Sequence, residues 1–334
     1  MKLSKKLISN NLKFDGAKFI INELILNGHK AFIVGGAVRD LCMEIEPNEF
    51  DISTCATPDQ IKKIFKRTKP VGQSFGVMLV IVDELFYEVA TFREDMEYQD
   101  GRHPVDVKYT KSAQVDVQRR DFTINGLLLN PMNFEVTDFC DGLKDIENKL
   151  LRTIGDPKKR FEEDNLRILR AVRFSNKYNL KIEVETEQEI INMSDRIVNV
   201  SVERVREEFV KIITNKNPGN GIRLLSKYGL MEHIIPEIEL LKGVDQPPEF
   251  HPEGDVFIHT CLVLEKLEQD NVLEIVLALG ALLHDIGKPK TYSKTDRVRF
   301  NRHEYVGALM AEKICKRLKF SNKQVSEIKA LVSE

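Results

Sequence analysis

The spacing of apolar positions predicts an alternation of helices and strands in the first part of the chain. Apolar side chains recur at helical spacing over residues 14–27. The segment AFIVGGAVRDL at 31–41 predicts a short buried strand, a Gly-Gly turn and the start of a helix. FDIST at 50–54 predicts a second strand, and a turn signal then precedes a helix that runs through Phe65.

A hairpin is predicted next. The β-rich runs VMLVIV at 77–82 and FYEVATF at 86–92 are separated by the polar pair Asp83-Glu84. Together with the preceding elements, they indicate one mixed α/β domain that ends near residue 137.

Helical spacing dominates from Asn148 to about Leu241, and a second helical block begins near Val256. Between them, DQPPEFHPEGD at 245–255 has the Pro and Gly content that is typical of a linker. The predicted fold class is therefore α+β: a mixed β-sheet with helices, followed by all-helical regions.

Composition narrows the class of protein. A chain of 334 residues with 42% hydrophobic and 31% charged residues is typical of a globular protein of two or three domains. No apolar run approaches the roughly 20 residues that cross a bilayer, and the N-terminus lacks the apolar core of a secretory signal. Five dispersed cysteines without C-x-x-C favour neither a disulfide framework nor a cysteine zinc site. We expect a cytoplasmic protein.

Charge is distributed unevenly, although the formal net charge is only −2. Between Lys149 and Lys181 the sequence has ten Lys/Arg against four acids. Such a stretch could face nucleic-acid phosphates, or it could be a solvated helix face.

Three carboxylates in the first domain form a candidate metal site. Glu49 and Asp51 are two residues apart, so on a strand both side chains project from the same face. Glu88 lies inside an apolar β-run, where burying an unpaired charge is costly. Converging carboxylates suit hard divalent cations and two-metal phosphoryl transfer, whereas an acid-x-acid pair alone is commonly just surface charge.

The Gly35-Gly36 turn strengthens this interpretation. A glycine turn between a strand and a helix exposes backbone N–H groups that can hold a triphosphate, and Arg39 adds a cation one turn later. A tight turn is the simpler alternative.

Five motifs in order resemble those of one enzyme family. They are GGAVRD at 35–40, EFDIST at 49–54, YEVATFR at 87–93, RRDFTIN at 119–125 and EDNLRILRAVRF at 163–174. Over residues 14–245 the chain resembles class II tRNA nucleotidyltransferases, the CCA-adding enzymes, and the related bacterial poly(A) polymerases of the DNA polymerase β superfamily.

The resemblance implies roles for individual residues. It implies catalytic Mg²⁺ ligands at Glu49 and Asp51, with Glu88 as a third carboxylate. It also implies nucleotide contacts, which involve the residues Gly36, Arg39, Arg120, Asp164, Arg167, Arg170 and Arg173. Relatives usually have Asp-x-Asp where this chain has Glu49-x-Asp51, and a displaced carboxylate could reduce the rate.

The acid and arginines of EDNLRILRAVRF recur at three-residue steps, so on a helix they would form one broad stripe. A carboxylate at Asp164 can accept from the exocyclic amine of C or A, and a guanidinium at Arg167 can donate to a ring acceptor. The alternative is an exposed helix with an ordinary ion pair.

The expected reaction is attack of a tRNA 3′-hydroxyl on the α-phosphate of CTP or ATP, with Mg²⁺ assistance. In the family, a flexible loop between the carboxylate strand and the RRDFT motif supports the switch from C to A. Residues 94–109, with Gly101 and Pro104, occupy its place and argue against an enzyme that adds C only.

The C-terminal histidines suggest a second metal site. His259, His284 and Asp285 provide imidazoles and a carboxylate, which are good ligands for a divalent transition metal, whereas a His-Asp dipeptide alone is more often structural. HPEGDVFIHT and LLHDIGKP resemble the HD phosphohydrolase domain, and His303 follows them. The chain ends at KALVSE, before further ligands that HD relatives commonly have, so we expect a partial HD domain and a shortened chain.

The predicted domains are a nucleotidyltransferase head at 1–137, a base-recognising neck at 138–205, an RNA-binding body at 206–245 and the partial HD domain at 246–334. Three alternatives remain: a poly(A) polymerase or A-adding enzyme, a catalytically weakened RNA-binding protein, and a protein whose main activity is HD-type hydrolysis. The oligomeric state is left open.

Overall fold

A computed structural model describes residues 3, 5–8, 11–71, 76–96, 107–247, 249, 252–268, 273–294 and 297–334. The chain divides into two compact units. Unit 1 comprises Met1–Asp164 and Lys181–Thr186, and unit 2 comprises Asn165–Leu180 and Glu187–Glu334.

Unit 1 is built on a mixed sheet. Its strands are β1 (Ala31–Val34), β2 (Asp51–Thr54), β3 (Thr68–Pro70), β4 (Val77–Val82), β5 (Leu85–Thr91), β6 (Arg93–Asp95), β7 (Val107–Tyr109), β8 (Leu128–Asn130), β9 (Glu135–Thr137), β10 (Leu150–Leu151) and β11 (Lys181–Ile182). Seven of them form one sheet in the order β3-β4-β5-β2-β1-β8-β9, and β6-β7 and β10-β11 form separate pairs.

The helices of unit 1 are α1 (Leu12–Leu26), α2 (Gly36–Cys42), α3 (Pro58–Ile64), α4 (Ala113–Gln118), α5 (Gly142–Glu147) and α6 (Pro157–Glu163). The side chain of Asn11 caps α1 by accepting from the backbone N–H of Phe14 at 3.1 Å. One face of α1 is fully buried, including Ile20 and Leu24, in a core shared with the main sheet. The sheet is therefore anchored by apolar burial on this side.

The pairing of β5 determines what the sheet presents to solvent. β4 and β5 form the predicted hairpin, and both turn residues, Asp83 and Glu84, have positive φ. β2 pairs with β5 in parallel, with Ile52 opposite Val89. Since side chains alternate along a strand, the residues just before this pair, Asp51 and Glu88, project from the face opposite to the buried one.

Unit 2 is mainly helical. Its helices are α7 (Leu166–Tyr178), α8 (Val184–Asn192, which begins in unit 1), α9 (Val202–Ile213), α10 (Pro218–Lys227), α11 (Met231–Ile234), α12 (Pro236–Glu239), α13 (Val256–Leu267), α14 (Ile275–Leu283), α15 (Lys288–Thr291), α16 (His303–Arg317) and α17 (Asn322–Ser333). The strands β12 (Tyr292–Lys294) and β13 (Val298–Phe300) form an antiparallel hairpin.

The predicted α+β class is confirmed, since a mixed sheet with helices precedes helical regions. The helix expected to carry the acid and arginines of EDNLRILRAVRF is interrupted, and that part of the prediction was wrong. α6 ends at Glu163, Asp164 has extended backbone angles, and α7 begins at Leu166. Asp164 therefore does not share a helical stripe with Arg167.

Candidate active site and metal centre

The Gly-Gly turn after β1 has a conformation that requires glycine. Gly35 has φ 67° and ψ −132°, in the region that side chains disfavour, and Gly36 begins α2. Two guanidinium groups flank the turn: a Cβ placed on Gly35 would lie 3.5 Å from Nη1 of Arg120, and one on Gly36 would lie 3.4 Å from Nη2 of Arg39. The turn thus combines backbone N–H groups with two cations, which suits an anionic ligand.

Arg39 is held in place by one buried and one partly buried polar group. Its side chain is 6% exposed, and its Nη1 donates to Oδ1 of Asn125 at 2.7 Å. Nη2 donates to Oδ1 of Asp40, also at 2.7 Å. Asn125 in turn donates to the buried Asp121 at 3.0 Å. The end of the RRDFTIN motif therefore positions Arg39, a role that spacing along the chain did not indicate.

Arg120 has a comparable support in Asp116. Nη2 of Arg120 donates to Oδ2 of Asp116 and to Oγ of Ser53, each at 3.0 Å. Burial alone would raise the pKa of Asp116, but the charges of Arg119 and Arg120 outweigh it and lower that pKa. An ionised Asp116 therefore fixes Arg120 beside β2, two residues beyond Asp51. Sequence reasoning missed Asp116, which stands four residues before Arg120.

The three predicted carboxylates border one cavity of about 320 Å³. Glu49, Asp51 and Glu88 are all exposed, whereas Phe50 between the first two is buried. The expectation that the acids share a face is thus met. Within the described part of the chain, their oxygen atoms do not all come within 4.8 Å of one another.

The pKa of Asp51 is raised to about 6. The largest cause is partial loss of water around its carboxylate, followed by the negative charges of Glu88 and then Glu49, while Arg120 acts in the opposite direction. Because Asp51 remains exposed, solvent screens these charges in part. An all-oxygen donor set with mutual repulsion fits a divalent cation, whose charge would relieve that repulsion.

The predicted nucleotide-binding arginines of α7 have interior neighbours. Arg167 is 8% exposed in the first turn of the helix. Nε of Arg173 donates to Oε2 of Glu208 at 2.6 Å, and its guanidinium lies 4.2 Å from the centre of the Phe174 ring. The guanidinium of Arg170 lies 5.2 Å from the same ring. Arg173 therefore has a packing role, and its contact with a nucleotide remains a prediction.

The structure describes only the two ends of residues 94–109, the loop predicted to support the switch from C to A. Its ends form the antiparallel pair β6–β7, with Arg93 opposite Tyr109. Gly101 and Pro104 lie outside the described residues, so the loop's role stays a prediction.

The predicted histidine and aspartate ligands of unit 2 come together. Suitable ligand atoms of His259, His284 and Asp285 all lie within 4.8 Å of one another, the one such group among the described residues. Nε2 of His284 is 3.0 Å from Oδ2 of Asp285, and Nε2 of His259 is 3.8 Å from the same oxygen. Nδ1 of His284 bonds the carbonyl oxygen of Ala281 at 2.7 Å, which leaves Nε2 directed at the carboxylate.

Two further side chains that spacing did not assign to this cluster also reach Asp285. Nε2 of His303 lies 3.5 Å from Oδ1 of Asp285, and Nζ of Lys288 lies 2.7 Å from Oδ2. The start of α16 is brought close by Gly287, because a Cβ there would lie 2.1 Å from the carbonyl oxygen of His303. A residue larger than glycine would push His303 away from the cluster.

The charges in this cluster stabilise one another. Burial alone would raise the pKa of Asp285, but His284 and Lys288 outweigh it and hold that pKa well below its usual range. Burial alone would lower the pKa of His284, and the bond to Asp285 raises it instead. With imidazole nitrogens and a carboxylate within 4.8 Å, the donor set fits a divalent transition metal.

Three sequence profiles match successive parts of the chain. The Poly A polymerase head domain matches residues 31–152, the probable RNA- and SrmB-binding site of polymerase A matches 179–241, and the HD domain matches 256–334. Curated relatives named CCA-adding enzyme include one from Bacillus velezensis, 38% identical over 227 residues, and one from Enterococcus faecalis, 40% identical over 217 residues.

The chain belongs to the family of CCA-adding enzymes and poly(A) polymerases. The matches cover 68% and 65% of this chain but 56% and 53% of the two relatives. The chain thus spans about half the length of the curated CCA-adding enzymes that it matches.

Solved structures of CCA-adding enzymes share the fold. The Bacillus stearothermophilus enzyme in complex with CTP is 26% identical, with a TM-score of 0.68 over 97% of this chain and 70% of that one. The Thermotoga maritima enzyme with tRNA is 19% identical with a TM-score of 0.62, which supports the fold alone. No described helix is both long and apolar enough to span a bilayer.

The Glu208–Arg173 pair predicts an acid-sensitive contribution to stability. Burial alone would raise the pKa of Glu208, but Arg173, Arg170 and Lys211 together lower it from 4.5. A lowered folded-state pKa means that the contribution is complete above pH 4.5 and is lost as pH falls through the folded value. Glu208→Gln should therefore lower the free energy of unfolding by about 1.5–3 kcal/mol at pH 7, and by less below pH 4.5, in urea denaturation.

Glu207→Gln is the matched control, because Glu207 is the exposed neighbour on the same helix. It should change stability by no more than about 0.5 kcal/mol at either pH. Equal effects of the two substitutions would contradict the role of the buried pair.

Proposed function

We propose that this chain adds C and A nucleotides to the 3′ end of tRNA, with CTP and ATP as donors. The observation that carries the proposal is the position of Glu49, Asp51 and Glu88 around one cavity on unit 1, together with Arg120, which joins β2 to the Gly-Gly turn. Relatives at 38% and 40% identity named CCA-adding enzyme support it. We further propose that the protein acts in the cytoplasm, where tRNA would be its partner.

In this proposal, Glu49, Asp51 and Glu88 hold Mg²⁺. When bound, the metal would activate the attacking 3′-hydroxyl and stabilise the charge on the leaving pyrophosphate. Asp51 must be ionised to act as a ligand, and its pKa of about 6 keeps most of it ionised at neutral pH. Glu49 lies just before β2, where its longer side chain can adjust its position without changing the strand.

The triphosphate is proposed to lie against the Gly35-Gly36 turn. Gly36 contributes its backbone N–H group, and Arg39 and Arg120 contribute positive charge. Asn125 and Asp116 act indirectly, because each fixes a guanidinium that would contact phosphate. Because these arginines are already ordered, little conformational entropy is lost when the anion binds.

Base choice is proposed to come from Asp164 and Arg167. A carboxylate accepts from the exocyclic amines of C and A, and a guanidinium donates to a ring acceptor, whereas G and U present the opposite polarity. Arg170 and Arg173 are proposed to lie near the nucleotide. The ion pair with Glu208 favours a positioning role for Arg173.

Asp51→Asn should reduce nucleotide addition by at least about 100-fold, because it removes a charged metal ligand at the reacting centre. Asp59→Asn, an exposed aspartate on α3, is the matched control and should retain activity. The assay follows labelled CTP and ATP, separately and together, with tRNA that lacks its CCA end. Appreciable turnover of Asp51→Asn would contradict the metal role.

The same assay separates the alternatives. Repeated addition from ATP alone would indicate a poly(A) polymerase, and a single A on tRNA ending in CC would indicate an A-adding enzyme. An inactive wild type that gains activity through Glu49→Asp would instead indicate a catalytically weakened RNA-binding protein.

Arg167→Ala should reduce base discrimination more than it reduces triphosphate affinity. Losing one buried hydrogen-bonding group costs about 1–3 kcal/mol, so the ratio of kcat/KM for CTP over UTP should fall roughly 5- to 150-fold. Arg196→Ala, which removes an exposed arginine of unit 2, is the control. If all nucleotides lose kcat/KM equally, Arg167 is a phosphate contact.

A second proposal concerns unit 2, where the HD domain profile matches. We propose that His259, His284 and Asp285 bind a divalent transition metal, with His303 as an additional ligand. The distances from three imidazoles to one buried carboxylate support this set, and Lys288 balances the remaining charge. Such a metal would provide Lewis acidity for phosphoester hydrolysis.

His284→Gln should remove the bound metal. The protein is dialysed against Mn²⁺ or Zn²⁺ and then against buffer, and the retained metal is measured by plasma mass spectrometry. His233→Gln replaces an exposed histidine of the same unit and should retain the wild-type content. Wild-type metal content in the His284→Gln variant, with an unchanged circular dichroism spectrum, would exclude this site.

A further inference from the structure

The segment that joins Asp285 to His303 is strongly basic. Between residues 288 and 302 the sequence has six Lys/Arg and one acid, in a chain whose formal charge is −2. The basic residues are Lys288, Lys290, Lys294, Arg297, Arg299 and Arg302. All of them except Lys288 are exposed, and most belong to the β12–β13 hairpin or flank it.

Two of these exposed cations, at the tip of the hairpin, are not neutralised by nearby acids of the described chain. Neither Lys294 nor Arg297 has an ion pair with another described residue, whereas Lys316, Arg317 and Lys319 elsewhere in unit 2 are paired with glutamates. The hairpin therefore presents a concentration of positive charge that is suited to a polyanion.

Aromatic rings lead from the hairpin surface to the metal-ligand cluster. Tyr292 is 41% exposed, and its ring centre lies 5.9 Å from that of Phe300 on the paired strand. Phe300 lies 6.4 Å from the ring of His303, and Nζ of Lys288 is 5.3 Å from the centre of the Phe300 ring. His303 and Lys288 both reach the carboxylate of Asp285. A series of side-chain contacts thus connects the exposed Tyr292 to the buried carboxylate of the cluster.

We propose that the β12–β13 hairpin binds single-stranded nucleic acid and directs one end of the strand toward the His259–His284–Asp285 cluster. The exposed ring of Tyr292, with the partly buried ring of Phe300 beneath it, provides stacking for an unpaired base, and the cations of the hairpin provide charge for the backbone phosphates. Bases in a duplex are stacked on one another and cannot use Tyr292 in this way, so single strands are favoured. The proposal involves unit 2 alone and does not depend on nucleotide addition by unit 1.

Other polyanions fit the structure less well. An anionic membrane surface would require a set of exposed apolar side chains for insertion, and the hairpin offers one exposed ring, Tyr292. An acidic peptide would not use the ring series. RNA and DNA share the phosphate and base chemistry described above, and the experiment distinguishes them.

The test measures binding of fluorescent 12-nucleotide single strands, RNA and DNA in separate series, to the full chain by anisotropy. EDTA is present so that no metal contributes. Lys294→Glu with Arg297→Glu should raise Kd at least about tenfold, and should reduce the slope of log K against log salt by about 0.7 for each phosphate that the variant no longer neutralises. Lys313→Glu with Lys323→Glu, an equal charge change on α16 and α17, should alter Kd less than twofold.

Tyr292→Ala tests the aromatic part separately. It should raise Kd about fivefold or more with an unchanged salt slope, because stacking involves no counterion release. Binding of RNA by the wild type but not of DNA would identify RNA as the ligand. Equal losses of affinity in the hairpin and control double variants, or no loss in either, would overturn the proposal. Binding to phosphatidylserine vesicles is measured in parallel. Loss of vesicle binding alone in the hairpin variant would also overturn the proposal.

Discussion

Parallel pairing of β2 with β5 is the constraint on which the proposed catalytic centre depends. It places the two strands so that Phe50 and Val89 face the core while Glu49, Asp51 and Glu88 face one cavity. The pKa of Asp51 is raised first by partial loss of water around its carboxylate and then by repulsion from Glu88 and Glu49. Apolar burial on one side of the sheet therefore stabilises an arrangement of like charges on the other, and that arrangement is suited to bind a cation.

A second level of organisation is formed by buried polar groups that hold cations. Asp116 holds Arg120 through a partly buried hydrogen bond of 3.0 Å, and Asn125 holds Arg39 through a buried one of 2.7 Å. Removing either partner would leave a guanidinium donor unsatisfied, and this costs more free energy than the intact hydrogen bond contributes to stability. The RRDFTIN motif thus contributes to the site partly through residues that need not contact substrate.

In unit 2, a single buried carboxylate has the corresponding organising role. Asp285 is surrounded by the imidazoles of His259, His284 and His303 and by the ammonium of Lys288. His303 and Lys288 lie on either side of the basic hairpin in the chain, so the hairpin begins and ends next to the cluster. A metal site and a cationic surface are chemically compatible, because a metal ion and basic side chains can both bind phosphate groups.

Apolar spacing in the sequence was sufficient to predict β1, β2, the β4–β5 hairpin and the helical second half, because burial sets the period of each element. Motif order identified the family and supported the three acids as candidate metal ligands. The break at Asp164, the support of Arg120 by Asp116 and the approach of His303 to Asp285 were decided only by the tertiary structure. Each depends on packing between segments distant in sequence or on local backbone geometry, and residue spacing along the chain contains neither.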